Sequence, residues 1–600
     1  VRSWQRQMCI RDSVAYCQTF DGRSDLYTTP VDGSGFPLQV TSEHACSAGS
    51  FSWLPDSSGF IYASGGKLRR ILARGGPATT LSGGPGRLGA PRVAPDGSLV
   101  ACIAELDEDH HAVAVVATEG EAWPLRLSRG DDFVFDARWS PDGRWLVWVQ
   151  YDNRAMPWDE STLVACHVAR GDVHVLASHK GVAYAQPRWS PDGRQLAFIC
   201  DRDGWMNLWV APFLSDGSLG EARPLGPEAH EHAAPAWGEA QNYAWSPGGD
   251  RIAHTTNRQG SIQLAVVDLP SGRRTILHED PGSHADLSWL DERTIVMCFS
   301  SPHRPADVYL HDIDTERRTR LTASAVGGLA AVPTVDPQPV SWPDAGGEAI
   351  HGLLFLPRED RRAADGPGSP VLLQFHGGPT SQSVVRWEPV LQYFVQRGWA
   401  VLQVNYRGSA GYGKAYRDAQ YGRWGTPELE DSVAAVRWLQ GHVATQHPID
   451  TMRIVPWGGS NGGYAVLLCL SKAPELFKAG VSLYGITDLF TLAEPTNRFE
   501  RYYGDTLIGP SWRHADYYRE WSPLTHAGHI RAPVLLLHGD KDDSVAIDQS
   551  ERLAKALERA GKSFEYHVYE GEGHGWRRLA TQLDYVRRME TFLRHHVLER

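Results

Sequence analysis

A serine flanked by glycines stands in a setting suited to nucleophilic chemistry. The stretch Gly458-Gly459-Ser460-Asn461-Gly462 has the pattern G-x-S-x-G and lies between a short apolar run and an apolar segment with helical character. A sharp strand-to-helix turn of this kind lifts the serine hydroxyl above the sheet, and glycines flank it because side chains there would clash. The helix N-terminus also favours developing negative charge. We therefore predict Ser460 as a nucleophile, although so short a pattern also arises by chance.

A serine hydroxyl needs a general base, and in this setting the chain order is serine, acid, histidine. His574 follows a strand-like run in a glycine-rich stretch that lets the loop swing toward the serine. Three acids, Asp540, Asp542 and Asp543, follow the preceding strand-like run and compete to hold the imidazole tautomer. The acids left over would be turn formers or solvated loop residues. The alternative for His574 is an ordinary surface histidine.

Acyl transfer also needs two hydrogen-bond donors for the oxyanion. The backbone N–H of Asn461, the residue after the nucleophile, is one candidate. The other should come from the loop Phe375-His-Gly-Gly-Pro379, whose glycines let the backbone approach a substrate closely. The alternative for Gly377 and Gly378 is a simple tight turn.

These loops need a sheet to position them. After about residue 325, apolar runs alternate with helical patterns, with strand candidates at 371–375, 400–404, 453–455, 479–483, 534–537 and 564–569. Strand–helix alternation predicts a mostly parallel, doubly wound sheet. Ligands in such sheets bind beyond the carboxyl ends of the strands. We therefore expect an α/β domain over residues 326–600 with its site at that edge.

The preceding part of the chain repeats a Trp-rich phrase that ends in a Pro-Asp-Gly turn. Its turn positions, Pro55, Pro95, Pro141, Pro191, Pro247 and Asp291, are spaced 40–56 residues apart. Repeats of this length predict the blades of a β-propeller, here over residues 14–325. Residues 14–27 match the later half of a repeat, so we expect seven blades with the first one incomplete. Residues 1–13 match no repeat and are expected to be a non-native start. A Trp-rich β-sandwich is the alternative.

Composition excludes several classes of protein. Hydrophobic residues make up 42% and charged residues 22%, which argues against intrinsic disorder. No apolar run approaches the roughly 18 residues that span a bilayer. The net charge of −12 argues against nucleic acid as a partner. The 8 cysteines are scattered without a CxxC pair, which favours a reducing, cytoplasmic compartment. His230 and His232 lack an evident third ligand, so neither a metal nor a cofactor is expected.

The last 250 or so residues resemble the prolyl oligopeptidase family of serine peptidases, closest to its acylaminoacyl-peptidase and dipeptidyl-peptidase-like branches. The matching stretches are His376-Gly-Gly-Pro379, Asn405-Tyr-Arg-Gly-Ser-Ala-Gly-Tyr-Gly413, Glu428-Leu-Glu-Asp431, Gly458-Gly-Ser-Asn-Gly-Gly-Tyr464, His538-Gly-Asp-Lys-Asp-Asp543 and Gly573-His574. The resemblance implies an α/β-hydrolase domain preceded by a seven-bladed propeller. It also implies that Asp542 is the orienting acid, and that the Gly378 amide is the second oxyanion donor because His376 replaces a tyrosine.

The resemblance further implies a peptidase that cleaves short peptides through an acyl-enzyme. It implies that the propeller limits the size of the substrate. Assembly into a homo-oligomer is an open alternative to a monomer. A carboxylesterase with the same triad is the alternative, and a non-enzymatic binding module is a third reading. Ser544 stands where several members of the family have an Arg or Asn that anchors the substrate backbone. Phe499 is expected to line the substrate pocket, with core packing as its alternative.

Overall fold

The computed structural model describes residues 3–10, 12–43, 46–47, 49–84, 86–107, 110–128, 133–152, 154–226, 231–232, 240–278, 280–325, 332–361, 368–492 and 498–599, with only the backbone of 3–10. The chain divides into two compact units, residues 1–330 and 331–600.

The first unit is built of small antiparallel sheets. Five sheets have four strands each in the part of the chain described: β1 (Ser3–Ile10) to β4, β5 to β8, β9 to β12, β13 to β16, and β17 to β20. Strands β21 to β28 form an eight-stranded sheet through one parallel bridge between β23 and β25. This succession of sheets is typical of a β-propeller.

The strand bounds in the first unit are as follows. The first three sheets contain β2 (Ser13–Phe20), β3 (Arg23–Pro30), β4 (Leu38–Gln39), β5 (Phe51–Trp53), β6 (Gly59–Ser64), β7 (Lys67–Leu72), β8 (Thr79–Thr80), β9 (Arg87–Val93), β10 (Leu99–Glu105), β11 (His111–Ala117) and β12 (Leu125–Arg126). The others contain β13 (Phe133–Trp139), β14 (Trp145–Tyr151), β15 (Thr162–His167), β16 (Asp172–Ser178), β17 (Tyr184–Trp189), β18 (Gln195–Cys200), β19 (Asn207–Pro212), β20 (Arg223–Pro224), β21 (Tyr243–Trp245), β22 (Arg251–Arg258), β23 (Ser261–Asp268), β24 (Arg274–His278), β25 (Ser283–Trp289), β26 (Thr294–Ser301), β27 (Arg304–Asp312) and β28 (Arg318–Arg320).

Four of the repeated tryptophans bond to the preceding copy of the repeat. The indole N–H of Trp139 donates to the main-chain oxygen of Arg92 at 2.8 Å, and that of Trp189 to Arg138 at 3.2 Å. Two further tryptophans, at 245 and 289, repeat the contact with residues 188 and 244. In these four copies the partly buried indole donor is satisfied by the main chain of the preceding repeat.

The first sheet differs from the incomplete blade expected from the sequence. Residues 3–10 form β1, which pairs with β2 in antiparallel register, so this sheet has four strands. Side chains of the first and last sheets pack together in a buried cluster that includes Val14, Tyr16, Val296 and Val308, which closes the circle of sheets. No repeat signal marks β1 in the sequence, and its place in the sheet becomes evident only from its pairing with β2.

Two cysteines of the first unit are joined. Cys17 on β2 and Cys46 form a disulfide, and among the described residues the free cysteines are all buried. Within the same residues, no helix has the length and apolar character to cross a membrane.

The second unit is organised around one eight-stranded sheet with the order β29-β30-β32-β31-β33-β34-β35-β36. Its strands are β29 (Gln338–Pro343), β30 (Ala349–Phe355), β31 (Ser369–Phe375), β32 (Ala400–Asn405), β33 (Ile449–Gly459), β34 (Gly480–Leu483), β35 (Val534–Gly539) and β36 (Phe564–Tyr569). Neighbours from β32 to β36 pair in parallel, and β30 pairs antiparallel with β29 and β32. The predicted mostly parallel sheet is therefore present.

Helices cover both faces of this sheet. They are α1 (Pro389–Val395), α2 (Lys414–Asp418), α3 (Thr426–Trp438), α4 (Ala444–Gln446), α5 (Asn461–Lys472), α6 (Leu489–Leu492), α7 (Tyr503–Leu507), α8 (Ala515–Glu520), α9 (Asp548–Arg559) and α10 (Leu579–Leu593). Short 3-10 helices span Glu359–Arg361, Arg498–Glu500 and Pro523–His529, and single π-turns follow α3 and α10. One core packs α3, α5 and α9 against the sheet, and the other packs α1 and α10.

Candidate active site

Ser460 stands at a strained turn between β33 and α5. Its φ of 57° and ψ of −124° lie outside the regions favoured by non-glycine residues. Neighbouring glycines permit the turn: a Cβ at Gly458 would come within 2.6 Å of the Gly462 main chain, and one at Gly462 would collide with the Phe375 oxygen. The local structure is therefore the nucleophile elbow that the sequence pattern predicts.

Asp542 and His574 are in direct contact. The Nδ1 atom of His574 lies 2.8 Å from Oδ2 and 3.0 Å from Oδ1 of Asp542. Asp542 follows β35 and accepts the N–H groups of Ser544 and Val545 at 3.0 and 2.8 Å, and its side chain is fully buried. Of the three acids that compete in the sequence, Asp542 is thus the one that contacts His574.

The two other acids have different surroundings. Asp540 accepts the N–H of Gly571 at 2.5 Å and so ties together the loops after β35 and β36, while Asp543 is exposed.

Burial raises the pKa of the Asp542 carboxyl, but the hydrogen bonds from His538 and His574 and the His574 charge outweigh it. The pKa of Asp542 therefore lies well below its ordinary value, and the group stays ionised.

Ser460 and His574 are not joined by a hydrogen bond within the described residues. Tyr484 lies beside His574 and beside Gly459, the residue before Ser460: its ring centroid is 4.8 Å from that of His574, and its hydroxyl is 2.8 Å from where a Cβ on Gly459 would stand. The structure thus brings acid and histidine together and places the serine elbow next to the same tyrosine. Hydrogen bonds of catalytic groups are often long or poorly aligned without substrate.

Both predicted oxyanion donors lie near Ser460. The N–H of Asn461 belongs to the first turn of α5, where helix geometry provides no partner within the helix. Gly378, with a φ of 50°, follows β31. A Cβ on the adjacent Gly377 would be 3.3 Å from Cβ of Ser460, which places this loop against the elbow.

A cavity opens beside the serine. Gly378, Ser460, Asn461 and Ser544 contribute to its wall, and the rest of the lining is mainly apolar: Pro379, Trp424, Ile486, Leu489, Leu492, Tyr503, Leu507, Tyr518 and Val545, with Glu500 and Arg501. Phe499 lies in the 3-10 turn next to Glu500 and is not among the described residues that line this cavity. Its role in substrate binding therefore remains a prediction.

The sequence interpretation assigned no role to the buried polar groups behind the elbow. Trp424, Glu428 and Tyr406 contact the side chain of Asn461. Burial raises the pKa of Glu428 to about 7, although hydrogen bonds from main-chain N–H groups and from Asn461 oppose the shift. Two of the family stretches contain Tyr406 and Glu428, which is the one signal that could have drawn attention to them.

Metal ligands are not grouped in the described residues. No cluster of three or more His, Cys, Asp or Glu side chains there could hold an ion. His230 lies outside the described part, and His232 uses Nδ1 to accept the N–H of Leu208 at 3.0 Å.

Comparisons with known proteins show what this chain is similar to. The model of the prolyl oligopeptidase family matches residues 385–600. Dipeptidyl aminopeptidase BIII of Pseudoxanthomonas mexicana is 32% identical over 348 residues, 53% of this chain and 49% of the relative. The acylamino-acid-releasing enzyme of Arabidopsis thaliana is 30% identical over 222 residues, 35% of this chain and 28% of that enzyme. The chain thus spans about half the length or less of these curated relatives.

A solved structure is similar to nearly the whole of this chain. A puromycin-hydrolyzing peptidase of Mycobacterium tuberculosis is 27% identical with a TM-score of 0.89, covering 99% of this chain and 94% of its own. The prediction of a propeller followed by an α/β-hydrolase domain is confirmed. The stretch from 385 to 600, which includes Ser460, Asp542 and His574, identifies the chain as a carrier of a prolyl oligopeptidase family domain.

Proposed function

We propose that this chain is a serine peptidase that hydrolyses short peptides through an acyl-enzyme, of the branch containing acylaminoacyl peptidases and dipeptidyl peptidases. The observation that carries the proposal is the contact between Asp542 and His574 at the same sheet edge as the Ser460 elbow. Curated relatives from both kinds of peptidase support it.

In the proposed reaction, Ser460 Oγ attacks the carbonyl carbon of the scissile bond while His574 accepts its proton. The amides of Asn461 and Gly378 donate to the oxyanion, and His574 then protonates the leaving amine. Water, deprotonated by the same imidazole, hydrolyses the acyl-enzyme. Asp542, ionised and bonded to Nδ1, holds the imidazole with Nε2 free for these transfers.

The mainly apolar cavity beside Ser460 suits an uncharged side chain next to the scissile bond. Ser544 and Phe499 are proposed as substrate contacts. Ser544 borders that cavity, and Phe499 adjoins Glu500, which also borders it.

We further propose a propeller of seven blades, which β1 extends beyond the expected range of 14–325, and a hydrolase domain over 326–600, with the propeller limiting substrate size. Counting the eight-stranded sheet as two blades gives seven with the other five sheets. A cytoplasmic location rests on the scattered cysteines alone, and the Cys17–Cys46 disulfide weighs against it.

Active-site labelling and peptide profiling test the proposal. A fluorophosphonate should label the wild-type protein at Ser460, and Ser460→Ala should lose both labelling and turnover while its circular dichroism is unchanged. A library of short peptides with free and blocked N-termini, run beside p-nitrophenyl esters, separates peptidase from esterase. Hydrolysis of esters alone would favour the carboxylesterase, and hydrolysis retained in Ser460→Ala would contradict the assignment of the nucleophile.

A further inference from the structure

The hydroxyl of Tyr406 lies between the two segments that carry the proposed oxyanion donors. It accepts the Nδ2–H of Asn461 at 2.8 Å, and its own proton faces His376, whose main-chain oxygen and Nδ1 each lie 3.2 Å away. The Tyr406 ring is completely buried and stacks on the His376 imidazole with centroids 4.4 Å apart. One hydroxyl therefore joins the first residue of α5 to the residue that precedes Gly377 and Gly378.

The side chain of Asn461 is held on its other sides as well. The indole N–H of Trp424 donates to Oδ1 at 2.7 Å. Because an indole nitrogen can only donate, this bond fixes which end of the amide faces Trp424. The Nδ2 end then faces Tyr406 and lies 3.4 Å from Oε1 of Glu428. Asn461 thus has a single orientation.

Glu428 anchors this arrangement from α3. Its Oε2 accepts the N–H of Gly425 at 2.9 Å, and the side chain is completely buried. Gly425 follows Trp424, so the same carboxyl group contacts Asn461 directly and fixes the turn that presents the indole. Both ends of the Asn461 amide therefore depend on Glu428.

We propose that Tyr406 and Glu428 are positioning residues that hold the amides of Asn461 and Gly378 at the separation an oxyanion requires. This inference rests on the proposed function. Oxyanion donors act only when they are aimed in advance at the developing charge. The ladder between β31 and β33 ends at the pair Phe375–Gly458, before either donor, so a further link is needed beyond it. Tyr406 supplies that link.

The chemistry of the Tyr406 hydroxyl suits a permanent bridge. Burial, reinforced by the neighbouring Glu428 charge, raises the pKa of Tyr406 well above its ordinary value. The hydroxyl therefore keeps its proton and goes on donating to His376 under any condition in which a peptidase is assayed. Its partner loop is fixed in turn by His376, whose Nε2 lies 2.7 Å from the Ser409 hydroxyl.

Tyr406→Phe in the full chain tests the inference, because it removes the hydroxyl and keeps the ring. Tyr243→Phe is the matched control: its buried hydroxyl donates to the main-chain oxygen of Gln186 at 2.5 Å in the first unit, whereas both donors belong to the second unit. We expect kcat of Tyr406→Phe to fall by about 10- to 100-fold with KM within about twofold, since oxyanion donors act on the transition state. The rate of fluorophosphonate labelling at Ser460 should fall in parallel.

A merely structural role predicts another pattern. Both variants would then lose thermal stability to a similar degree and, well below their melting temperatures, would keep the wild-type kcat and labelling rate. A kcat for Tyr406→Phe within twofold of that for Tyr243→Phe, or a change in KM alone, would overturn the proposal.

If Tyr406→Phe does not fold, Glu428→Gln decides the question. Above pH 7, where Glu428 is ionised and both of its oxygens accept, the glutamine NH₂ must instead face an N–H donor of Gly425 or of Asn461. In assays at such a pH, the same loss of kcat at constant KM is therefore expected. An unchanged kcat would overturn the proposal. Wild-type protein that fails to label at Ser460 would overturn the proposed function and this inference together. Normal wild-type labelling with unaffected variants would overturn the inference alone.

Discussion

His574 and Asp542 meet through a bifurcated contact in which one ring nitrogen faces both oxygens of a completely buried carboxylate. Asp542 also accepts two main-chain N–H groups of its own loop, which fix the orientation of its carboxylate independently of the histidine. The carboxylate that orients His574 is thus itself held by its loop.

Asp542→Asn should therefore lower kcat by about 10³- to 10⁴-fold, because an amide can stabilise the wrong imidazole tautomer and cannot balance an imidazolium. Steady-state kinetics on a short peptide substrate measures the effect. Asp543→Asn, on the exposed neighbour, is the control and should retain wild-type kcat. Equal activity in the two variants would show that Asp542 does not orient the base.

The raised pKa of Glu428 predicts a pH-dependent stability. From its ordinary value of 4.5 up to about 7, the folded state holds a proton that the unfolded state has released, so the free energy of unfolding falls as pH rises through this window. Glu428→Gln does not titrate. Its stability relative to wild type, measured by urea denaturation, should therefore increase between pH 4.5 and 7. A difference that stays constant with pH would mean that Glu428 ionises normally in the fold.

Gly462→Ala should damage the elbow. The added methyl group would collide with the main-chain oxygen of Phe375, which cannot move without breaking the sheet. We expect the free energy of unfolding to fall by about 1–3 kcal/mol or more, and fluorophosphonate labelling of Ser460 to be lost. Gly441→Ala, where a Cβ would have no neighbour within 4 Å, should be neutral or slightly stabilising. Thermal melting of the two variants side by side checks the contrast, and equal melting temperatures would refute it.

The first unit contains a buried charge whose removal should be costly. Asp136 is completely buried and binds Arg138 at 2.5 Å and Arg188 at 2.7 Å. Asp136→Ala removes the carboxylate that both guanidinium groups bind, so we expect the free energy of unfolding to fall by about 3–5 kcal/mol. Asp172→Ala removes an exposed pair with Arg170 and should cost no more than about 1 kcal/mol. Chemical denaturation distinguishes the two, and a small effect of Asp136→Ala would argue against a structural role for this group.

Local sequence patterns were sufficient to predict those features that depend on neighbouring residues in the chain. The Ser460 elbow, the repeated turns and the parallel strands are of this kind, since steric and hydrophobic patterns act over a few positions. Choosing Asp542 from three neighbouring acids needed the family resemblance, because only a tertiary contact distinguishes them. The bonds among Tyr406, Trp424 and Asn461 come from three separate segments, and no spacing rule connects them. Strand β1 likewise has no repeat to mark it.

The packing of the first sheet against the last has a consequence for biosynthesis. Val14 and Val308 share one cluster although about 290 residues of chain separate them. Such a long loop must close before that contact yields any free energy, which makes it a late step in folding. During synthesis, β2 must wait unpartnered on that side until β27 has been made, which exposes it to misassembly in the meantime.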